Sequence, residues 1–454
     1  MSNKLWGGRF KKDIDKDFFE FQKSIGFDHR LAEYDLYHSL IHIRVLRKAK
    51  ILSSGEFQEL DKALRGILRE VKSGKFKFDP QAEDIHTDIQ NRIEKKTKAA
   101  KKLHTLRSRN DQIVFDEKCY CYREAVSIKN LLSKLLDSLI TLINKYKGFF
   151  MVGYTHTRRA QIVLFKDYLG AFYTMFVQDG ERIVNFLKRL KIFIGAGALA
   201  GTSLEGKYYQ EAVKEVFGAS PLAKKIMPPI NSLESVSDRD FVIEFLSIIS
   251  LIQLHLSRLA SDFILYGGEE FSFFELPESF CTGSSLLPHK KNPDFLELVR
   301  GLTGKVYSNL VSVLVMMKGL PLTYNRDMQL NKESLFSSVD TIKEELKIMS
   351  KFMPKIKLSR TKINQILEDE SLYATEIAQF LVYKGVPFKE AHHVVGKLIS
   401  YSQRKKLKIK DMPNELIKSF HSKLNQKELI KIMTPEYVVS SRKSTSRKFS
   451  TPKL

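Results

Sequence analysis

Apolar residues recur every three or four positions along most of this chain, most clearly in the stretch that begins at Phe165. The later members of this stretch are Tyr168, Leu169, Phe172, Phe176, Val177, Ile183, Val184, Leu187 and Leu190. This spacing predicts a long α-helix with one buried face. The segment from Phe241 to Leu265 is apolar on more than one face, which predicts a helix enclosed on several sides, in a bundle or at a subunit interface. Clear strand alternation is absent from the sequence, so the pattern predicts an all-α protein.

Two interruptions of the helical pattern predict three consecutive parts. The chain has 454 residues, which is long for a single compact core. A Lys- and Ala-rich stretch at 95–102 precedes the first interruption, and Met353-Pro354-Lys355 lies close to the second. We predict an amino-terminal helical domain at 1–108, a central domain of long helices at 109–357 and a basic carboxy-terminal helical domain at 358–454.

The net charge of +23 is concentrated towards the carboxyl end, where residues 401–454 hold 14 Lys or Arg against 4 Asp or Glu. A basic tail such as 441–448 raises the possibility of nucleic-acid binding. No helix-turn-helix, zinc-finger or RNA-binding sheet pattern accompanies it in the sequence, so we predict no nucleic-acid partner. A solvated basic surface is the favoured interpretation, and a positive field that steers polycarboxylate substrates is a weaker alternative.

The sequence also bears on the compartment. The strongly apolar stretch from Phe245 to Leu254 is too short to span a bilayer, which predicts no membrane partner. The amino terminus lacks the basic-then-apolar pattern of a secretory signal. Cys119, Cys121 and Cys281 form an odd set without metal-site spacing, which favours a reducing, cytoplasmic setting.

The segment at 283–294 carries the clearest chemical signal. It reads Gly-Ser-Ser-Leu-Leu-Pro-His-Lys-Lys-Asn-Pro-Asp, and Gly283 with two prolines keeps it out of helix at both ends. Such a loop can close over a small anion and bring a serine oxygen and a lysine to one carbon atom. Removal of a proton next to a carboxylate needs this pairing, because the resulting dianion requires a fixed positive charge. Lys290 or Lys291 could supply that charge.

This loop resembles the GSSxxPxKxNP signature of the fumarase/aspartase superfamily of lyases, and further segments narrow the resemblance to the argininosuccinate lyase family. These segments lie at 6–10, 103–112, 153–156 with 159–161, 195–202, 231–241 and 319–329. They follow the order in which the family has them.

The resemblance implies a three-part all-α fold in which long central helices of four subunits form one bundle. It implies a homotetramer whose active sites are each built from three chains. The implied reaction is the reversible elimination of argininosuccinate to L-arginine and fumarate, the last step of arginine biosynthesis. No metal or organic cofactor is implied, since proton transfer and fixed charge suffice. Adenylosuccinate lyase and a non-catalytic, crystallin-like protein are the alternatives.

The resemblance also implies the catalytic residues. The carried-over positions are Ser284, His156, Lys290 and Glu297, with Glu297 orienting the imidazole of His156. Ser285 is the alternative to Ser284. The residues leave open which of Ser284 and His156 removes the carbon-bound proton, and we favour Ser284 as the base.

The substrate-binding positions implied by the resemblance come from several segments. They are Ser24, Ser108, Arg109, Asn110, Thr155, Asn292, Tyr324, Gln329 and Lys332. Arginine suits a polyacid because its guanidinium binds carboxylates through two hydrogen bonds. For His86 a substrate-side role and a structural role remain open.

The chain departs from the family pattern at a few positions. Leu106 stands where the family has Gly, and Ile162 where it has Pro. His289 and Leu287 replace Gln and Met in the loop, and an arginine expected near Tyr208 is missing. One interpretation is that Leu106 restrains its loop, because the loop needs backbone angles that leucine resists. The other is that neighbouring residues have repacked around the leucine and offset this strain, and we favour it.

Overall fold

The computed structural model describes residues 14–444. The segment at 6–10 and the end of the basic tail, beyond residue 444, lie outside the described residues. The described chain is mostly helical, which confirms the all-α prediction.

Helices follow one another along the whole of the described chain. In the first half they are α1 Lys16–Gln22, α2 Ile25–Asp28, α3 Ala32–Lys48, α4 Ser54–Lys72, α5 Ile85–Glu94, α6 Arg109–Lys145, α7 Phe165–Arg189, α8 Gly206–Phe217 and α9 Ser232–Ser237. The second half of the chain holds α10 Asp240–Gly267, α11 Asp294–Met317, α12 Asn331–Phe352, α13 Arg360–Leu367, α14 Ala374–Tyr383, α15 Phe388–Lys405, α16 Asn414–Phe420, α17 Gln426–Ile432 and α18 Pro435–Ser441. The predicted long helices after Phe165 and Phe241 are α7 and α10.

Short strands are the feature that the sequence pattern missed. They are β1 Phe150–Thr155, β2 Arg158–Leu164, β3 Ile192–Phe193, β4 Ile226–Met227, β5 Phe274–Glu275 and β6 Lys357–Leu358. They form three two-stranded sheets, of which only the antiparallel pair β1 and β2 is longer than two residues per strand. Pairs this short carry too little alternation to stand out from helical neighbours.

The chain divides into two compact units, each built from three stretches of sequence. The first unit comprises the described residues up to 130 together with 179–253 and 302–344. The second unit comprises 131–178, 254–301 and the described residues from 345 onward. The division into three consecutive domains at residues 108 and 357 stays a prediction.

The core of the first unit is centred on α3, which packs against α4 and α8. Nearly every residue of α3 from Leu36 to Leu46 is buried. Helix α4 begins with a capping box in which Ser53 and Glu56 satisfy each other's backbone N–H groups. Its buried residues Leu60, Leu64 and Ile67 recur at the spacing of one helix face.

The second unit contains the hairpin of β1 and β2 and the helices α13 to α18. The carboxy-terminal helices have their own apolar core, in which Ile377, Leu381, Leu398 and Ile417 are fully buried. The 3₁₀ turn Glu370–Tyr373 and α18 pack against β2, and α13 packs against β1. The carboxy-terminal helices therefore support the hairpin directly.

Helix α10 is long and apolar enough, by length and composition, to cross a membrane. More than half of its most apolar window, 56%, is buried inside the protein. Core helices of globular proteins meet the same criteria, and α10 matches the enclosed helix that its sequence predicts. The absence of a membrane partner stays a prediction.

Candidate active site

The predicted catalytic loop is closed at its base by backbone hydrogen bonds. The N–H of Thr282 donates to the carbonyl of Asn292 at 3.1 Å, and the N–H of Asn292 donates back at 2.8 Å. Residues 283–291 therefore form a closed loop just before α11. Its position ahead of a helix agrees with the prediction that Gly283 and the prolines keep it out of regular structure.

Ser284 and Ser285 differ in their surroundings within this loop. The Oγ of Ser284 accepts hydrogen bonds from the backbone N–H groups of Leu286 at 3.3 Å and Leu287 at 3.0 Å. Ser284 is half-buried, whereas Ser285 is exposed. Hydrogen-bond donors aimed at an oxygen favour its negatively charged form. The loop thus aims two backbone N–H donors at the oxygen of Ser284 and none of these at Ser285.

The two lysines of the loop have different partners. Lys291 Nζ lies 3.4 Å from Glu278 Oε1, so its charge is already paired. Lys290 is exposed, and its backbone N–H donates to the carbonyl of Leu287 at 3.1 Å. Of the two lysines, Lys291 is thus the one that pairs with Glu278, and this surface pair, with side chains 40% and 88% exposed, is weak. Glu297 lies in the first turn of α11 and is also exposed.

His156 occupies the tip of the hairpin formed by β1 and β2. His156 and Thr157 are the two residues between β1 and β2, with φ values of 53° and 59°. Positive φ at both central residues is the geometry of the type I′ turn, which matches the twist of the flanking strands. Thr155 ends β1 beside it, and both side chains are exposed. Within residues 14–444, no hydrogen bond joins His156 to Glu297.

Arg109 is held by Asp84 at the start of α5. Its guanidinium makes an ion pair with Asp84 and donates to Thr87 Oγ1 at 3.2 Å. Burial acts to raise the pKa of Asp84, but the charge of Arg109 and hydrogen bonds from Thr87 outweigh it and lower the pKa to about 2. The ion pair presets the orientation of the guanidinium.

Ser24 and Lys332 meet at Asp28, a residue that the family motifs do not single out. Asp28 Oδ2 accepts from Ser24 Oγ at 2.5 Å and lies 3.5 Å from Lys332 Nζ. All three residues are buried. Asp28 follows Ser24 by four positions, so helical spacing after Ser24 was the available signal.

Tyr324 and Gln329 lie in the same unit. Gln329 Nε2 donates to the carbonyl of Gln22 at 3.1 Å, close in sequence to Ser24. Burial raises the pKa of the Tyr324 hydroxyl, and the charges of Lys332 and Arg326 act against that rise. The hydrogen bond from Gln329 to Gln22 connects the segment after Tyr324 to the end of α1, just before Ser24.

Ser108 precedes the long helix α6, and Asn110 in its first turn contacts the glycine-rich run at 195–202. Asn110 Nδ2 donates to the carbonyl of Ala198 at 3.2 Å, and the Asn110 N–H donates to Ser108 Oγ at 3.2 Å. Asp111 accepts from the N–H groups of Gly195 at 2.9 Å and Ala196 at 3.2 Å. Two family segments separated by more than eighty residues are therefore joined.

His86 is buried between two carboxylates. Its Nδ1 lies 2.9 Å from Asp35 Oδ1 and 3.8 Å from Asp116 Oδ2. Burial raises the pKa of Asp116 well above its usual value, and the charge of Asp35 adds to that rise. Asp35, His86 and Asp116 are residue types that bind metals, with ligand atoms within 4.8 Å of one another. The 2.9 Å separation is that of a hydrogen bond between His86 and Asp35, whereas Asp116 at 3.8 Å lies beyond hydrogen-bond distance. The burial of these side chains favours the structural role for His86.

Leu106 has a φ of 57°, which lies in the left-handed region that favours glycine. Its side chain is 45% exposed. The backbone therefore does require the glycine-like conformation, and a half-exposed leucine offers little support to the idea that neighbours have repacked around it. The strain stays local to the turn before α6.

We expect Leu106→Gly to raise the thermal melting temperature by about 1–2 °C. A leucine in the left-handed region lowers the free energy of unfolding by about 1–2 kcal/mol. Glycine relieves this strain, but its greater flexibility in the unfolded chain cancels about half of the gain. Differential scanning fluorimetry checks the change, with Ile230→Gly as the control, because Ile230 is 81% exposed and lacks a positive φ. A lower melting temperature for Leu106→Gly would show that the leucine side chain contributes packing.

The predicted site residues fall into two groups. The first unit holds Ser24, His86, Ser108, Arg109, Asn110, Tyr324, Gln329 and Lys332, and the second holds Thr155, His156, Ser284, Ser285, Lys290, Asn292 and Glu297. Within the first group, Asp28 joins Ser24 to Lys332, and Asp84 holds Arg109. Within the second, the loop and the hairpin tip are separate exposed features.

Comparisons with known proteins show the family of the chain. A family model described as "Lyase" matches residues 8–308, and one described as "Argininosuccinate lyase C-terminal" matches residues 371–440. The argininosuccinate lyase of Caldanaerobacter subterraneus subsp. tengcongensis is 42% identical over 444 residues, which cover 97% of this chain and 98% of that protein. The argininosuccinate lyase of Carboxydothermus hydrogenoformans is 41% identical over 442 residues, covering 97% and 95%.

Solved structures share the fold at low identity. An EDDS lyase in complex with formate superposes with a TM-score of 0.76 at 20% identity, covering 92% of this chain and 83% of that one. The class II fumarase from Schistosoma mansoni gives a TM-score of 0.76 at 14% identity, covering 92% of each chain. Taken with the near-full-length relatives, these matches show that the chain belongs to the argininosuccinate lyase family of the fumarase/aspartase superfamily.

Proposed function

We propose that this protein catalyses the reversible elimination of argininosuccinate to L-arginine and fumarate, as the last step of arginine biosynthesis in the cytoplasm. The observation that carries the proposal is the closed loop at 283–291, which sets Ser284 against two N–H donors and leaves Lys290 free of the ion pair that Lys291 makes. A loop of this kind supplies a proton acceptor and a positive charge together. The chain's near-full-length likeness to argininosuccinate lyases supports the choice of substrate.

In the proposed mechanism Ser284 removes the proton from the carbon next to a carboxylate. The two N–H groups that reach Ser284 Oγ stabilise the alkoxide this requires. Lys290 then stabilises the dianion, whose charge is greatest at that moment. His156 donates a proton to the departing nitrogen, for which an imidazole near neutral pKa is suited. The reverse assignment, with His156 as the base, is the alternative.

The substrate's two ends would meet different residues. Arg109, with Ser108, Asn110, Thr155 and Asn292, would bind the carboxylates of the succinate part, since a preset guanidinium binds a carboxylate through two hydrogen bonds. Tyr324, Gln329, Lys332 and Ser24 would hold the amino-acid end. Asp28 and Asp84 would act by orienting Lys332 and Arg109.

We propose a homotetramer in which each active site takes residues from more than one copy of the chain. Helix α11 presents the apolar residues Tyr307, Val311, Leu314 and Val315 to solvent, with exposures of 37% to 57%. They recur at the spacing of one helix face, as expected of a surface that packs against another helix. We propose that this face lies in a bundle formed with other copies of the chain, and that Glu297 orients the His156 of a neighbouring copy.

We expect Val311→Lys to break the tetramer and to lower fumarate release at least tenfold. A lysine there places a charge in an apolar contact, and a site built from several chains is lost when they separate. Light scattering after size exclusion measures the mass. Ile430→Lys is the control, since Ile430 is 46% exposed but lies on α17, in the carboxy-terminal part. A tetramer that persists in Val311→Lys would contradict the proposed bundle face.

The proposed function is tested by incubating the purified protein separately with argininosuccinate, adenylosuccinate, aspartate and malate. Ultraviolet absorbance follows the release of fumarate. Release from argininosuccinate alone is the expected result. Release from adenylosuccinate would favour adenylosuccinate lyase, the alternative that His289 in the loop suggests. No release from any of the four would favour a crystallin-like role.

A further inference from the structure

The hairpin that carries His156 depends on elements far away in the sequence. Its tip has positive φ at both turn residues, and the side chain of His156 is exposed. Residues in such backbone regions hold one conformation only when their surroundings enforce it. The strands below the tip supply that enforcement, and they pack against α13, α18 and the 3₁₀ turn Glu370–Tyr373.

Arg159 is the residue through which the hairpin reaches these elements. It is the second residue of β2, three positions after His156. Its Nη1 lies 2.9 Å from Asp369 Oδ2. Tyr154 pairs with Arg159 across the ladder, just after a register shift between Gly153 and Tyr154. Arg159 is therefore held from both strands and from the carboxy-terminal elements.

Both partners of Arg159 are themselves fixed. The ring of Tyr154 packs within 6.2 Å, centroid to centroid, of Tyr266, Phe271 and Phe273. Asp369 caps the 3₁₀ turn, accepting from the N–H of Ser371 at 3.1 Å and from its Oγ at 2.6 Å. A guanidinium that meets an anchored carboxylate has a preferred position, and so has the strand that carries it.

We infer that Arg159 and Asp369 form a positioning contact through which the carboxy-terminal helices orient His156 for proton transfer. This inference rests on the proposed function. It gives the segment at 371–440 a part in the reaction without any contact with substrate. Side chains of Arg159 and Asp369 are 45% and 31% exposed, so the pair contributes little to overall stability. Its effect on turnover is larger, because a displacement of about 1 Å can cost about a hundredfold in rate.

Asp369→Asn and Arg159→Gln test the inference. Asparagine keeps the oxygen that caps Ser371 while removing the charge that Arg159 meets. We expect turnover to fall about tenfold with KM unchanged and with the melting temperature shifted by less than about 4 °C. Amide hydrogen exchange across 150–164 should become faster, because the hairpin loses an anchor. The charge-reversed double variant Arg159→Asp with Asp369→Arg should recover part of the loss.

The matched control is Glu428→Gln. Glu428 pairs with Lys384 at 2.6 Å in the same unit, with exposures of 43% and 35%, and neither residue lies on the hairpin. It should leave turnover and the exchange of 150–164 unchanged. If Asp369→Asn keeps both the turnover and the amide hydrogen exchange of 150–164 at wild-type levels, the inference is overturned while the proposed function stands. If the unmodified protein releases no fumarate, the proposed function fails and takes the inference with it.

Discussion

Ser284→Ala should lower the turnover of argininosuccinate by about two to four orders of magnitude while KM changes little. A proton-transferring group contributes about 10²–10⁴-fold to rate, and alanine removes the only atom of the side chain that can accept a proton. The Oγ of Ser284 accepts two backbone N–H bonds, but these close a short turn of an exposed loop, so the fold should survive their loss. Initial rates of fumarate release measure the loss of turnover. An unchanged far-ultraviolet circular dichroism spectrum would show that the fold survives.

Ser285→Ala is the matched control, because Ser285 is the adjacent exposed hydroxyl in the same loop. It should keep turnover within about threefold of the unmodified protein, far from the loss that a proton-transfer group causes. His156→Asn should show a loss like that of Ser284→Ala. Normal turnover in Ser284→Ala together with a large loss in Ser285→Ala would reverse the choice between the serines.

Lys290→Met should lower turnover by about 10²–10³-fold and weaken ground-state binding much less. The ammonium is most useful when the dianion forms, and one well-placed donor to such an oxyanion is worth about this much in rate. A nitro analogue that carries the dianion's charge should therefore lose more affinity than argininosuccinate does. Calorimetric titration measures the affinity for the analogue, and steady-state kinetics measure turnover and KM for argininosuccinate.

Lys291→Met tests whether Lys290 has a specific role or whether the loss of any positive charge from the loop lowers turnover. Lys291 is the next residue, and its charge is paired with Glu278 at 3.4 Å. The same net charge is lost in both variants, so a long-range field alone would give them equal effects. Equal loss of substrate and analogue binding in Lys290→Met would also contradict the proposed stabilisation of the dianion.

Much of the helical architecture follows from local pattern. Helix α7 runs from Phe165 to Arg189, as its apolar spacing predicts, and α10 is the helix whose several apolar faces predict enclosure. The hairpin of β1 and β2 was missed because it is short and bounded closely by helices. Its turn residues, His156 and Thr157, are also not the Asn and Gly that announce a type I′ turn.

Leu106 shows how a single departure from a family pattern carries structural information. The family's glycine at this position predicts a backbone that leucine resists, and the φ of 57° agrees. The favoured idea of repacked neighbours depended on side-chain surroundings, which the sequence does not contain. The half-exposed side chain opposes that idea.

The sequence by itself determined the helical class, the loop at 283–294 and the residue types that suit proton transfer next to a carboxylate, because each depends on neighbouring residues. Only the tertiary structure decided which charges are already paired. Asp28 meets Lys332 and Asp369 meets Arg159 across separations of more than two hundred residues. Such pairs are set by the packing of whole helices and strands, and local spacing carries no record of them. The pairing of Lys291 with Glu278 likewise forms only when the folded loop brings the two side chains together.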